Sequence, residues 1–127
     1  MNSRIGLLVA SFFIAISLLA PTHAAADEQI VSVKSNAEYK VHLKFFSQDY
    51  NRTWPGPDSS TVWVLADYAR HTYNLSCRTG EKICYGAWVA GDRSEYWGVG
   101  ASNRNSCTSC CFTCGNGDVS YTLEEDD

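Results

Sequence analysis

Six cysteines in a chain of 127 residues constrain this sequence more than any other feature. They are Cys77, Cys84, Cys107, Cys110, Cys111 and Cys114. An even number of cysteines in a small domain of an oxidising compartment favours disulfide bonds over metal ligands or catalytic thiols. The chain is therefore expected to fold as a small domain held by covalent cross-links.

The N-terminal segment has the pattern of a secretory signal peptide. Arg4 precedes an apolar run over residues 5–20, and small residues follow at 24–26. The run is shorter than the roughly 20 residues that a membrane-spanning helix needs. We expect residues 1–26 to be removed as a signal peptide, to leave no stable membrane anchor, and to direct the protein to the periplasm or outside the cell.

The remaining residues suffice for one small domain, which we place at 27–123. The four acids of residues 124–127 form a tail that we expect to be solvated and disordered, since like charges repel. Without this tail the domain is close to electrically balanced, and no basic stripe follows any segment. The composition therefore argues against a nucleic-acid partner.

Residues 71–89, HTYNLSCRTGEKICYGAWV, have the pattern of a β-hairpin around Gly80. In one interpretation, residues 78–80 form a three-residue loop, so that Cys77 and Cys84 lie on opposite faces and pair elsewhere. In the other, Gly80 and Glu81 form a two-residue turn, which places Cys77 opposite Cys84 and permits a bond within the hairpin. The first gives the cleaner apolar alternation and is preferred.

Other segments have the period of β-strands. Residues 38–48 alternate apolar positions with Lys40, His42 and Lys44, which indicates one solvent-facing side. An edge strand is expected near residues 30–33, a central strand at 61–67, and short strands at 94–98 and 119–123. The predicted fold class is mainly β: a small antiparallel β-sandwich or barrel of about five to seven strands, stabilised by disulfides and carrying a short cysteine-rich helix.

That helix is predicted from the spacing of the last four cysteines, which is i, i+3, i+4 and i+7. If Cys77 paired with Cys84, the clustered cysteines would have to bridge among themselves in very small loops. Bonds from the cluster to the hairpin close longer loops and stabilise more, by about 3 kcal/mol each in the chain-entropy model. We expect at least one such bond, with the third bond inside the cluster if both hairpin cysteines are used.

The residue chemistry favours a binding module whose ligand is a protein or a glycan. Trp54 stands in a loop rich in proline and glycine, where an exposed indole with polar neighbours would suit a binding surface. The candidate ligand-binding residues are Trp54, Tyr50, Asn51, Arg52 and Asp58. No catalytic residue, metal ligand or cofactor is predicted.

Two other classes of function stay open. A small secreted hydrolase would need a histidine or a carboxylate pair, yet His42 and His71 stand in no recognisable catalytic motif. A thiolate metal site or a redox protein would use the overlapping C-x-x-C units of the cluster. The contiguity of these units argues against zinc, whose ligand pairs are normally well separated in sequence.

Overall fold

A computed structural model describes residues 26–125, which contain nine β-strands and no helix. The strands are β1 (Ala26–Ser35), β2 (Val41–Ser47), β3 (Thr53–Trp54), β4 (Trp63–Leu65), β5 (Arg70–Arg78), β6 (Lys82–Val89), β7 (Asp92–Gly98), β8 (Cys111–Thr113) and β9 (Val119–Leu123). The predicted signal peptide lies outside the described residues, except for Ala26 at the start of β1. Within the described range, no helix is long and apolar enough to cross a membrane. The fold is mainly β, as predicted.

The strands form two sheets. In the three-stranded sheet, β1 lies between β5, to which it is antiparallel, and β9, to which it is parallel. In the six-stranded sheet, β3, β2, β6 and β7 follow one another, β4 also pairs with β2, and β8 also pairs with β6. The predicted edge strand near residues 30–33 is therefore central. The predicted central strand at 61–67 shortens to β4, which pairs only with β2 and exposes half of Val64.

The main hydrophobic core takes side chains from both sheets. Val31, Val33, Leu75 and Leu123 come from the three-stranded sheet and are fully buried. The six-stranded sheet contributes Val41, Leu43, Phe45, Ile83, Ala87 and Phe112. Along β5 the burial alternates strictly, with Tyr73, Leu75 and Cys77 inside and their neighbours exposed. In β5 the two-residue period of the sequence thus predicted correctly which side chains face the core.

The predicted hairpin at residues 71–89 is wrong in its pairing. Its turn exists, since Glu81 donates its backbone N–H to the carbonyl of Arg78 and Gly80 has a φ of +89°. However, β5 pairs with β1 in one sheet, whereas β6 pairs with β2, β7 and β8 in the other. Alternation fixes the buried face of a strand but does not identify the neighbouring strand, and here β5 pairs with β1 over nine residues while β6 pairs with β2 over seven.

The predicted cysteine-rich helix is also wrong, and disulfide geometry gives the reason. Cys111 bonds to Cys84 in β6, and Cys114 bonds to Cys77 in β5. Cys77 packs in the main core, whereas Cys84 belongs to a separate cluster on the other face of β6. A helix would place all four cysteines on one face, but the extended chain at β8 sends Cys111 and Cys114 in opposite directions. Both bonds join the hairpin segment to the cluster, as the loop-closure argument favoured.

The three disulfides differ in the length of chain that they close. Residue separations of 37 and 27 correspond to about 4 kcal/mol of stabilisation each in the chain-entropy model. The third bond, Cys107–Cys110, spans only 3 residues and contributes about 2 kcal/mol on the same basis. The fold therefore depends mainly on the first two bonds. Three disulfides also indicate an oxidising environment.

Lys44 does not face solvent as the alternation of β2 predicts. Only 2% of the residue is exposed. Its ammonium group donates to the carbonyl oxygens of Gly56, Asp58 and Thr61 at 2.9, 3.0 and 2.7 Å. Burial lowers the Lys44 pKa, and the negative charge of Asp58 partly opposes this effect. Lys44 therefore anchors the proline- and glycine-rich loop against the six-stranded sheet.

Replacing Lys44 with methionine should destabilise the protein by about 2 to 4 kcal/mol, because the aliphatic stem stays but three carbonyl groups lose a charged donor. Chemical denaturation measures this loss, and hydrogen exchange should show faster exchange over residues 56–61. The matched control is Lys40→Met, which removes an exposed lysine just before the same strand. Equal stability of the two variants would contradict the anchoring role.

Candidate functional site

The predicted binding loop is held in place by its own charged and aromatic residues. Arg52 forms a two-pronged ion pair with Glu81, whose side chain is fully buried, at 2.8 and 3.2 Å. Tyr50 is exposed, but the guanidinium carbon of Arg78 lies 4.5 Å from the centre of its ring. Asn51 and Asp58 are exposed. These residues lie in one segment, and the charge of Arg52 already has an internal partner.

Trp54 lies half buried against the main core. Its indole N–H donates to the carbonyl of Ser76 at 3.1 Å, and the Arg52 guanidinium covers its ring at 4.7 Å. Arg52 donates to the same Ser76 carbonyl at 3.0 Å. This carbonyl lies on the outer edge of β5, and edge groups without partners are the usual place where sheets add foreign strands. Trp54 and Arg52 therefore close part of that edge.

A second surface was not identified from the sequence: an open groove of about 460 Å³, called here the acidic groove. Its lining residues are Glu38, Tyr39, Val89, Ser94, Glu95, Tyr96, Trp97 and Glu125. Three are carboxylates, three are aromatic, and none is basic. The wall combines the segment just before β2, the end of β6, β7 and the chain after β9, so only the fold brings these parts together. A repeated Glu-Tyr pair, at 38–39 and 95–96, is the sequence signal that could have suggested it.

Two of the three carboxylates in the acidic groove, those of Glu38 and Glu95, lack internal partners among the described residues, unlike Arg52 in the loop. Among residues 26–125, no hydrogen bond or ion pair engages the carboxylates of Glu38 and Glu95. Tyr39 and Tyr96 expose 58% and 46% of their surface. Trp97 is fixed by its indole N–H, which donates to the carbonyl of Glu124 at 2.7 Å. The groove thus offers two exposed tyrosine rings and one fixed indole beside two carboxylates that have no partners among these residues.

The start of the acidic tail contributes to this wall instead of extending freely into solvent. The Glu125 carboxylate accepts the backbone N–H of Glu38 at 3.0 Å. The side-chain amide nitrogen of Asn36 donates to both carboxylate oxygens of Glu124, at 2.9 and 3.1 Å. Asp126 and Asp127 lie outside the described residues. At least the first half of the tail therefore packs onto the domain.

The third feature is the sulfur cluster, defined by Cys84, Cys107, Cys110 and Cys111. The Cys110 and Cys111 sulfurs belong to different disulfides and lie 3.8 Å apart. The sulfurs of Cys84, Cys110 and Cys111 all lie within 4.8 Å of one another. All six cysteines are disulfide-bonded, so no thiolate is present to bind a metal in this state.

Phe46 and Val99 surround the sulfur cluster. The close approach of the segment that carries Val99 depends on Gly86, where an added Cβ would meet the carbonyl oxygen of Gly100 at 2.0 Å. A glycine at this position therefore lets the backbone of residues 99–100 lie directly on β6. This contact seals one side of the cluster with apolar groups.

Among the described residues the histidines are His42 and His71, and neither lines the acidic groove. The His71 ring contacts the Asp67 carboxylate at 2.7 Å, and this hydrogen bond is the largest cause that lowers the Asp67 pKa. No serine, threonine or cysteine within residues 26–125 hydrogen-bonds to this exposed pair. His42 lines a second cavity of about 430 Å³ with Trp88, whose ring it meets edge-on at 5.8 Å.

Comparison with known proteins gave no match, whether to protein-family models, to curated proteins or to solved structures. The chemistry of the chain's own residues is therefore what bears on its function.

The Glu81 carboxylate predicts a pH dependence of stability. Burial would raise its pKa, but hydrogen bonds from the Arg78 backbone, Ser47 and Arg52, together with the Arg52 charge, outweigh this and lower it. A lowered pKa in the folded state stabilises the protein above the ordinary value of 4.5, and this contribution is lost as the pH falls through the folded-state pKa. Glu81→Gln should therefore lower the unfolding free energy by about 1 to 3 kcal/mol at pH 7, with a smaller difference from the wild type at pH 3.

Urea denaturation at a series of pH values measures this difference. Glu28→Gln is the control, because Glu28 is exposed and has a single side-chain contact with Asn74. A Glu81→Gln deficit that stayed constant between pH 7 and pH 3 would show that the carboxylate charge does not stabilise the fold.

Proposed function

We propose that this protein is a small secreted or periplasmic binding module, built on a sandwich-like pair of sheets, that holds a basic segment of a partner protein in the acidic groove. The observation that carries this proposal is the presence of unpaired carboxylates beside exposed aromatic rings. A lysine or arginine side chain suits both kinds of group, because its cationic group can form an ion pair with a carboxylate and a cation–π contact with a neighbouring aromatic ring.

The contrast between the two surfaces favours the acidic groove over the loop. In the loop, Arg52 is already paired with Glu81 and already covers Trp54, so a ligand would have to displace internal contacts. In the groove, the side chains of Glu38 and Glu95 have no such contacts to lose among residues 26–125. A ligand therefore gains interactions there without breaking existing ones. A second hypothesis, which the same experiment tests, is that the ligand binds to the candidate residues predicted from the sequence, Trp54, Tyr50, Asn51, Arg52 and Asp58.

The expected strength of this binding follows from the exposure of the groove. An exposed ion pair contributes about 0.2 to 1 kcal/mol, and an exposed cation–π contact about 0.5 to 1 kcal/mol. Together these contacts contribute about 1 to 2 kcal/mol, which is less than the roughly 4 kcal/mol of a millimolar dissociation constant, so one basic side chain alone binds more weakly than that. A physiological partner would need two or more basic residues or additional contacts outside the groove.

Nuclear magnetic resonance titration tests this proposal, because the Trp97 indole N–H is a reporter within the groove wall. A lysine- and arginine-containing peptide should shift this signal in a saturable, salt-sensitive way, whereas a glutamate-containing peptide of equal length should not. The double variant Glu38→Gln/Glu95→Gln should weaken the binding of the basic peptide by about fivefold or more, since it removes two exposed charge pairs.

The matched control is Asp118→Asn combined with Glu28→Gln, which removes the same charge from exposed positions that do not line the groove. If the control variant weakens binding as much as the groove variant, the attraction is only a general charge effect. Shifts confined to Tyr50 and Trp54, or shifts caused by oligosaccharides and not by the basic peptide, would contradict the groove and favour the loop.

A further inference from the structure

The sulfur cluster brings two disulfides into contact in a way that the stability of the fold does not require. The Cys77–Cys114 and Cys84–Cys111 bonds already tie the cysteine-rich segment to both sheets. Cys107–Cys110 closes only a four-residue loop, yet its Cys110 sulfur lies 3.8 Å from Cys111 of the neighbouring bond. A disulfide that stabilises the fold only slightly, and that contacts a second disulfide, suggests a role in thiol–disulfide chemistry.

The two ends of the Cys107–Cys110 bond differ in their access to solvent. Cys107 is half buried and stands among the exposed residues Ser106, Thr108 and Ser109. Cys110 is completely buried, within the apolar environment of Phe46 and Val99. A thiolate from solvent can therefore reach the Cys107 sulfur but not the Cys110 sulfur. Attack at Cys107 makes Cys110 the leaving group, and the released thiolate lies next to the second disulfide.

We propose that Cys107 and Cys110 form a thiol–disulfide exchange site, in which the Cys110 thiolate is passed on to the Cys84–Cys111 bond. This proposal is independent of the acidic groove, because Cys84 and Val89 lie at opposite ends of β6, about 17 Å apart. The substrate class is a thiol or dithiol, either free or carried by another exported polypeptide.

The first step uses an external dithiol. One of its thiolates attacks the Cys107 sulfur, which forms a mixed disulfide, breaks the Cys107–Cys110 bond and leaves Cys110 as a thiolate. The second thiol of the reagent then attacks the reagent sulfur that is bonded to Cys107. This closes a disulfide within the reagent and releases the Cys107 thiolate. The dithiol is oxidised by two electrons, and the cysteine pair is reduced by two.

The second step occurs within the protein and needs no further reagent. The Cys110 thiolate attacks a sulfur of the Cys84–Cys111 bond, forms a new disulfide with it, and expels the other sulfur as a thiolate. One thiolate is consumed and one is produced, so no net oxidation or reduction takes place. The distances of 3.8 Å to Cys111 and at most 4.8 Å to Cys84 require only small side-chain movements.

Two single variants test the internal step without any reductant. Cys107→Ser leaves Cys110 as a free thiol beside the sulfurs of Cys84 and Cys111. Cys110→Ser removes the same disulfide but leaves the free thiol at Cys107, which is not one of these three close sulfurs. After alkylation at native pH, mass spectrometry locates the free thiol and the remaining bonds. Trypsin separates Cys84, which follows Lys82, from the four cysteines that follow Arg104, and fragmentation resolves these four.

In Cys107→Ser we expect the free thiol to be shared among Cys84, Cys110 and Cys111, with a new disulfide to Cys110. In Cys110→Ser we expect alkylation at Cys107 alone. A Cys107→Ser protein that is alkylated only at Cys110, or the same mixture in both variants, would overturn the internal step.

Limited reduction of the wild-type protein tests the site even if a variant fails to fold. With a small dithiol under native conditions, alkylation should appear at Cys107 about tenfold or more faster than at Cys77, because Cys107 is only half buried, whereas Cys77 and Cys114 are both buried and less accessible to the attacking thiolate. Alkylation of Cys84 should follow while Cys77–Cys114 stays intact. Opening of all three bonds at one rate would mean that the protein reacts only by unfolding, and would overturn the proposal.

Discussion

The structure depends on how the chain passes from one sheet to the other between Cys77 and Cys84. The turn at residues 78–81 takes only four residues, so the two strands leave it with little room to adjust. Cys77 faces the main core and Cys84 faces the opposite side of β6. The extended segment at β8 meets both, because alternate positions of an extended chain point in opposite directions. Two disulfides thus fix the angle between the sheets at the point where the chain crosses.

Much of the burial could be predicted from the sequence, but the pairing of strands could not. The alternation around Tyr73, Leu75 and Cys77 identified the core face of β5, and Gly80 identified the turn. Whether β5 then pairs with β6 or β1 depends on contacts between distant segments, which a two-residue period does not encode. The same limit explains Lys44, whose position on an alternating strand predicts solvent. Its burial depends on three carbonyl groups from a loop that returns over it.

The cysteine cluster shows why local spacing can mislead when covalent bonds are involved. A spacing of i, i+3, i+4 and i+7 fits one face of a helix, and the residues themselves do not oppose it. Two disulfides to opposite faces of the neighbouring strands cannot be made from one helical face, so bond formation favours the extended form. The information that decides between them lies in Cys77 and Cys84, about thirty residues earlier in the chain. The preferred interpretation of residues 71–89 places Cys77 and Cys84 on opposite faces. That placement is itself an argument against a helix, because a helix presents all four clustered cysteines on one face.

The candidate sites differ in the same way. Trp54 was predicted to be an exposed binding residue because proline and glycine surround it. A loop that is rich in turn residues can nevertheless fold back onto its own sheet. Its ring, Arg52 and Glu81 form a closed set of contacts in which each polar group is used. The acidic groove joins two short segments that are more than fifty residues apart, and none of its residues stands out alone. What distinguishes it is that the carboxylates of Glu38 and Glu95 have no partners among the described residues and lie beside exposed tyrosine rings, so that they retain their capacity to bind. Interactions that stabilise the fold and interactions that remain available to a ligand are therefore found on different surfaces of this small domain.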